Sequence, residues 1–238
     1  MPPRQVFSAI AYVLRTGCQW KALPKELGSA RAIHLHFQQW HQAGFLVALW
    51  RAGLAEYDEM EGIAWDWQSV DGALAKAPRA LKCVGANPTD RGKNGRKRSW
   101  LVDGRGIPLT IVASGANVHD VKLLAATLDQ VVRARPAPRA KAPQHLCADA
   151  GYQGAPARQA VEKRHSRPHL KQRREETDAK RKRPGYKARR GVVERTHSWL
   201  NRFRKLLVSF EKTEAGYVAL LALAAAMICW RQTISIYG

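Results

Sequence analysis

The chain has 238 residues, with 40 Lys and Arg against 19 Asp and Glu, a formal charge of +21. That length can bury a sizeable core as one large domain or two small ones, and 45% hydrophobic residues with eight Trp exclude a disordered basic tail. The charge excess calls for a polyanionic partner, nucleic acid above all.

The charge is not spread evenly. Residues 1–70 and 206–238 are each balanced, whereas +8 falls in 71–157 and +13 in 158–205, so the middle of the chain is the part built to meet phosphate. The four cysteines, Cys18, Cys83, Cys147 and Cys229, have no C-x-x-C spacing; they read as reduced thiols rather than a zinc knuckle or a disulfide frame. The apolar run Ala215 to Trp230 is short for a membrane span and reads as a buried helix. Met1-Pro-Pro-Arg leads straight into an amphipathic pattern without the features of a signal peptide. The expectation is a soluble cytoplasmic protein with no membrane partner.

Residues 1–60 read as a helical, helix-turn-helix-like domain. Val6, Phe7, Ile10, Val13 and Leu14 recur at helical spacing. After a Gly- and Pro-containing turn, Ser29 can cap a second helix with Ile33, Phe37 and Trp40 on one face, and a third carries Leu46, Leu49, Trp50 and Leu54. Arg31, His34, His36, Gln38, Gln39 and His41 lie off the apolar stripe and can read base edges. A helical bundle used only for packing is the alternative, since this region has no net charge.

From residue 63 the pattern alternates, predicting a strand that ends at Asp71-Gly72. A Gly-rich basic loop, 87–98, leads into a hairpin of 97–102 and 107–114 joined by Asp103-Gly104-Arg105-Gly106. A helix over 118–132, a Pro-Ala-Arg connector, a short strand 145–148 ending at Asp149, a helix over 155–164 and a strand over 167–172 follow. Residues 175–186 read as a charged loop, 192–207 as one helix and 214–232 as a closing apolar helix.

Three acids stand out. Asp71 and Asp149 each end an apolar strand and are each followed by a small residue and then by, or directly by, Gly; Glu194 opens a helix with a strongly apolar face. Such carboxylates, converging in a basic surrounding, repel one another unless a cation lies between them. A donor set of oxygens without His or Cys suits Mg²⁺ or Mn²⁺, and two such ions clamp the attacking and leaving oxygens of a phosphoryl displacement.

The order strand-Asp, hairpin, helix, strand-Asp, basic insert, helix-Glu is that of an RNase H-like core. With the motifs Tyr12-Val13-Leu14-Arg15-Thr16-Gly17-Cys18-Gln19-Trp20, Val70-Asp71-Gly72, Asn117-Val118-His119-Asp120, Ala148-Asp149-Ala150-Gly151-Tyr152 and Val193-Glu194-Arg195-Thr196-His197-Ser198-Trp199-Leu200-Asn201-Arg202, the sequence resembles the bacterial insertion-sequence DDE transposases, in the branch with a Y-(2)-R-(3)-E-(6)-K signature. Arg190 fits that signature, Tyr186 is one residue early, and Asn201 stands at the Lys position with Arg202, Arg204 and Lys205 close by.

The resemblance implies an α/β fold, an RNase H-like mixed sheet flanked by helices over 61–238, with a basic insert at about 158–190. It implies Asp71, Asp149 and Glu194 as catalytic residues and ligands of Mg²⁺, for which Mn²⁺ substitutes. The partner is double-stranded DNA, both transposon ends and target, bound by a homodimer or higher oligomer at the nucleoid. Arg190, Arg195, Asn201, Arg202, Arg204 and Lys205, with Arg96, Lys97 and Arg98 of the basic loop, are the expected DNA contacts. Trp199 reads either as core or as a platform for an unpaired base. A truncated or domesticated relative acting as nuclease or repressor is the alternative reading.

Overall fold

The computed structural model describes residues 1–170 and 191–237. Three helices open the chain: α1 (Pro3–Thr16), α2 (Ala30–Gln42) and α3 (Phe45–Met60). Helix α1 starts on two prolines and stops at Gly17 in the left-handed region, whose N–H returns to the Val13 carbonyl. Ser29 caps α2 through the Ala32 N–H.

The sheet contains β1 (Trp67–Lys76), β2 (Gly85–Ala86), β3 (Asn94–Asp103), β4 (Pro108–Gly115), β5 (Gln144–Ala148) and β6 (Ser166–Leu170). Strand β3 pairs antiparallel with β1 on one side and with β4 and β2 on the other, while β5 runs parallel to β1 and β6 parallel to β5. The spatial order β4-β3-β1-β5-β6, an antiparallel meander followed by two parallel strands, is the RNase H-like arrangement. Helices α4 (Asp120–Asp129) and α5 (Ala155–Glu162) make the crossovers. Beyond the undescribed stretch come α6 (Gly191–Asn201), α7 (Arg204–Leu207) and α8 (Glu214–Tyr237).

Of the boundaries that differ from the periodicity, two bear on the site. Strand β1 does not end at Asp71 but runs five residues further, because its antiparallel ladder with β3 continues to Lys76↔Gly95 after the parallel ladder with β5 has stopped at Val70↔Ala148. The single helix expected over 192–207 breaks at Phe203, which is extended; the Phe203 N–H reaches the Leu200 carbonyl in a tightened last turn. The charged loop expected over 175–186 lies outside the described residues.

Helix α8 is apolar all round, as a core helix is. It is long and apolar enough to cross a membrane by composition, yet Tyr217 and 219–226 are fully buried in the protein. It lies between α3 and β4: the Trp230 indole N–H donates to the Leu49 carbonyl, and the Trp50 indole N–H to the Pro108 carbonyl at 3.1 Å. Val6, Ile10, Phe37 and Trp50 therefore belong to the same buried cluster as Leu101, Leu146 and Leu220. The hairpin turn after β3 is organised by buried Asp103, whose carboxylate accepts from the Ala64, Arg105 and Ile107 N–H groups.

Candidate active site

The parallel register of β1 and β5 decides where the first two acids meet. Val70 and Ala148 are paired, so Asp71 and Asp149 follow them side by side on neighbouring strands. Beyond Ala148 the chain leaves the sheet; Asp149 caps the 3-10 turn Ala150–Tyr152, with its Oδ1 accepting from the Gly151 N–H at 2.8 Å. Asp71 Oδ1 accepts from the Gly72 N–H at 2.7 Å. Tyr152 is fully buried; burial first, then the Asp120 charge, and to a lesser extent Asp71 and Asp149, push its hydroxyl up.

Helix α6 brings the third acid. It packs on β1 and β3 through Val193, Thr196 and Leu200, with the Thr196 hydroxyl bound to the Gly106 carbonyl. His197 Nε2 lies 3.4 Å from Asp71 Oδ2. Glu194 is one helical turn before His197 on the same side, exposed, in the first turn of α6. The fold thus has Asp71 and Asp149 each follow the last β1–β5 pair, and Glu194 stand one turn before the His197 that meets Asp71. Among the described residues, no three His, Cys, Asp or Glu side chains close on a common point. The set still fits a hard divalent cation in its chemistry, with one carboxylate within β1, one just past the end of β5, a third on a packed helix, and no thiolate in the group.

Sequence reading passed over the pair behind this site. Lys97 Nζ meets Asp120 Oδ1 at 3.0 Å, and a Cβ on Gly72 would fall 2.2 Å from that same oxygen. Gly72 is glycine so that the Asp120 carboxylate can rest against the β1 backbone. The Asn117-Val118-His119-Asp120 motif was the available signal, and its acid pairs with Lys97. His119 occupies the N-cap place of α4 with no side-chain cap bond.

The expected DNA contacts divide in two. Arg195, Asn201, Arg202 and Arg204 are exposed along α6 and α7. Four others are corrected. Arg96 is 0% exposed in β3, donating to Ser209 Oγ at 2.8 Å and to the Lys82 carbonyl at 3.1 Å, with its guanidinium over the Tyr217 ring. Arg98 is buried and donates to the Leu206 carbonyl. Lys97 is buried on Asp120. Lys205 is 5% exposed, donating to the Cys18 carbonyl at 3.2 Å, beside Glu211 and over the Trp20 ring. The cause of the first three is that β3 starts at Asn94, so the supposed loop is a central strand; Lys205 joins α7 to the turn after α1. Arg190 lies outside the described residues.

A family model described as a transposase DDE domain matches residues 58–229, and one described as a putative transposase of the IS4/5 family matches residues 1–50. A putative transposase for insertion sequence element IS402 from Burkholderia cepacia is 37% identical over 152 residues, which is 62% of this chain and 68% of the relative. Among solved structures, the Mos1 mariner paired end complex with Mn is 12% identical at a TM-score of 0.32, covering 98% of this chain and 80% of that one. The Mos1 strand transfer complex gives 10% and 0.30. The RNase H-like fold is given by the strand order and register of this chain.

Proposed function

Since the chain belongs to the DDE transposase family, a family of polynucleotidyl transferases that work with divalent metal ions, we propose that Asp71, Asp149 and Glu194 are its catalytic carboxylates and that they hold two Mg²⁺ ions, with Mn²⁺ able to substitute. The observation that supports this most directly is the β1–β5 register, whose last pair, Val70 and Ala148, immediately precedes Asp71 and Asp149. When bound, the ions acidify an attacking water and stabilise the leaving 3′ oxygen. Asp149 is held by the Gly151 N–H, and Asp71 by the Gly72 N–H with His197 against its other oxygen, so both present fixed oxygens to the cations.

The reaction is phosphoryl transfer in two displacements. Water attacks the phosphodiester at the insertion-sequence end, leaving a free 3′-OH and a 5′-phosphate. That 3′-OH then attacks a target phosphodiester, forming the new junction and releasing the target's own 3′ oxygen. Two ends have to be joined, so the working unit is a dimer or higher oligomer on double-stranded DNA, at the nucleoid in the cytoplasm. Residues 1–60 form the helical unit and 61–238 the catalytic one. Exposed Arg195, Arg202 and Arg204, with Asn201, meet the DNA, and Arg190 is a further DNA contact.

The test is cleavage and strand transfer on DNA carrying the element's own ends, in Mg²⁺, Mn²⁺, Ca²⁺ or EDTA. Nicking and joining in Mg²⁺ and Mn²⁺ only, lost in Glu194→Gln, is the expected result. Tight DNA binding with no cleavage in any metal would overturn the catalytic reading and favour a repressor.

A further inference from the structure

Helix α6 brings a second donor to Asp71 besides its acid. Glu194 and His197 stand three residues apart on one side of the helix. In helical bundles the same Glu-x-x-His spacing gives an oxygen and a nitrogen donor to dinuclear carboxylate centres of iron and manganese. His197 Nε2 lies 3.4 Å from Asp71 Oδ2, the two side chains being 17% and 29% exposed. That contact is not aligned as a hydrogen bond: both His197 ring nitrogens are shielded from solvent, and neither has a hydrogen-bond partner among the described residues. Asp71 Oδ1 is occupied by the Gly72 N–H at 2.7 Å, so Oδ2 is the oxygen that shares its surroundings with the ring.

Buried polar atoms are costly to leave unpaired, and these stand beside a carboxylate oxygen. A proton shared by His197 and Asp71 would draw the pair into line at about 2.7–2.9 Å, the spacing of a charge-assisted bond; the observed pair is longer and unaligned. Two ligands of one cation, each bonded at about 2.1 Å and about 90–110° apart, stand about 3.0–3.4 Å from each other, which is the separation seen here. We propose that His197 Nε2 is a further ligand of the metal ion that Asp71 holds, with the ring proton on Nδ1, so that one metal position has a mixed oxygen and nitrogen donor set. This rests on the carboxylate reading given above and deepens it toward metal preference. Imidazole suits first-row transition ions, of which Mn²⁺ accepts it in Glu-x-x-His sites, whereas Mg²⁺ keeps to oxygen ligands and water. His197 thus tunes the site toward Mn²⁺, against the oxygen-only set expected from the sequence, where nothing local brings His197 and Asp71 together.

The experiment uses the full chain with Mn²⁺ alone, without DNA, and reads the ion by electron paramagnetic resonance. The free-ion signal gives the affinity, competition by Mg²⁺ gives the preference, and pulsed measurement detects a directly bonded imidazole as ¹⁴N coupling that ¹⁵N-histidine labelling converts to ¹⁵N coupling. The parent should show that coupling. His197→Gln should lose it and bind Mn²⁺ about 10–100-fold more weakly, the range found even for removal of a partner one shell further out, while its Mg²⁺ affinity changes little. Asp71→Asn, at a partly exposed side chain, should lose the coupling as well, and serves as the assignment if His197→Gln does not fold. Bound Mn²⁺ without nitrogen coupling in the parent overturns the inference and leaves His197 as a residue that steadies Asp71; so does coupling that persists in either variant. Asp149→Asn tells the two readings apart. If it weakens Mn²⁺ binding and the parent shows no nitrogen coupling, only the ligand role of His197 fails; if Mn²⁺ binds equally well to Asp149→Asn, Asp71→Asn and the parent, the carboxylate reading fails with it.

Discussion

Replacing Gly72 by Ala puts a methyl group 2.2 Å from Asp120 Oδ1 and 3.2 Å from its Cγ, with Lys97 Cδ at 3.7 Å. The nearest atom belongs to a carboxylate in an ion pair, so the variant tests whether that pair supports the strand under Asp71. The Lys97 side chain is 10% exposed and that of Asp120 29%. Asp120 can therefore turn toward water, while the Lys97 ammonium stays behind without its partner. Overpacking costs about 1–3 kcal/mol and orphaning a buried charge about 3–5, and with Asp120 able to escape we expect a loss of about 2–3 kcal/mol. In urea, with a slope of about 2–3 kcal/mol/M for a chain of this size, the unfolding midpoint should fall by about 1 M at unchanged slope. The decisive measurement is the cycle with Asp120→Ala: in that background the added methyl meets no carboxylate, and Gly72→Ala should cost less than about 1 kcal/mol. Equal losses in both backgrounds would refute the reasoning, because backbone entropy by itself favours Ala over Gly at this position.

Lys205→Met should destabilise the protein by about 1–2 kcal/mol, by leaving partly buried Glu211 with the Trp20 indole N–H but without its cation, yet leave the salt dependence of duplex binding unchanged, whereas Arg202→Gln should lower that slope by about 0.9 at constant stability; the two together check the division between buried and exposed cations. Trp50→Phe removes the buried donor to the Pro108 carbonyl and should cost about 1–2 kcal/mol, with near- and far-ultraviolet circular dichroism still melting together, because α1–α3 and the sheet share one core; two separate melts would count against that. Burial, and then the Glu214 charge, push the Cys83 thiol from 9.0 up to about 11. The native protein holds a proton that the unfolded chain has lost, so stability should fall as pH rises from about 9 to about 11. At pH 8, Cys83 should alkylate about tenfold more slowly than in the unfolded chain, a hundredfold deficit in thiolate being partly offset by its greater nucleophilicity; equal rates by peptide mass spectrometry would contradict the assignment.

The linear sequence carried the order of elements, since hydrophobic period, turn residues and caps are local. The hairpin around Asp103-Gly104, the caps at Ser29 and Gly17, and the buried character of α8 were all legible in this way. Asp71, Asp149 and Glu194 could be picked out because strand-end and helix-start acids beside small residues are themselves a local pattern. That Asp71 and Asp149 are neighbours is not local: it depends on the β1–β5 register, set by Trp67↔His145 through Val70↔Ala148. The fate of the basic residues was likewise invisible. Net charge in a window cannot tell a strand from a loop, and Arg96, Lys97 and Arg98 became core because β3 is flanked on both sides by β1 and β4, under α8 on one face and α4 on the other. An arginine can be buried when its donors find Ser209 and a carbonyl, and those partners come from more than 100 and about 14 residues away. A cleft lined by Arg15, Arg202 and Arg231 exists only where the ends of α1 and α6 meet α8. Composition and local pattern thus determined which chemistries this chain has available; long-range strand register and helix docking decided which of those groups face one another, because contacts between distant residues are fixed by packing and not by their neighbours in the chain.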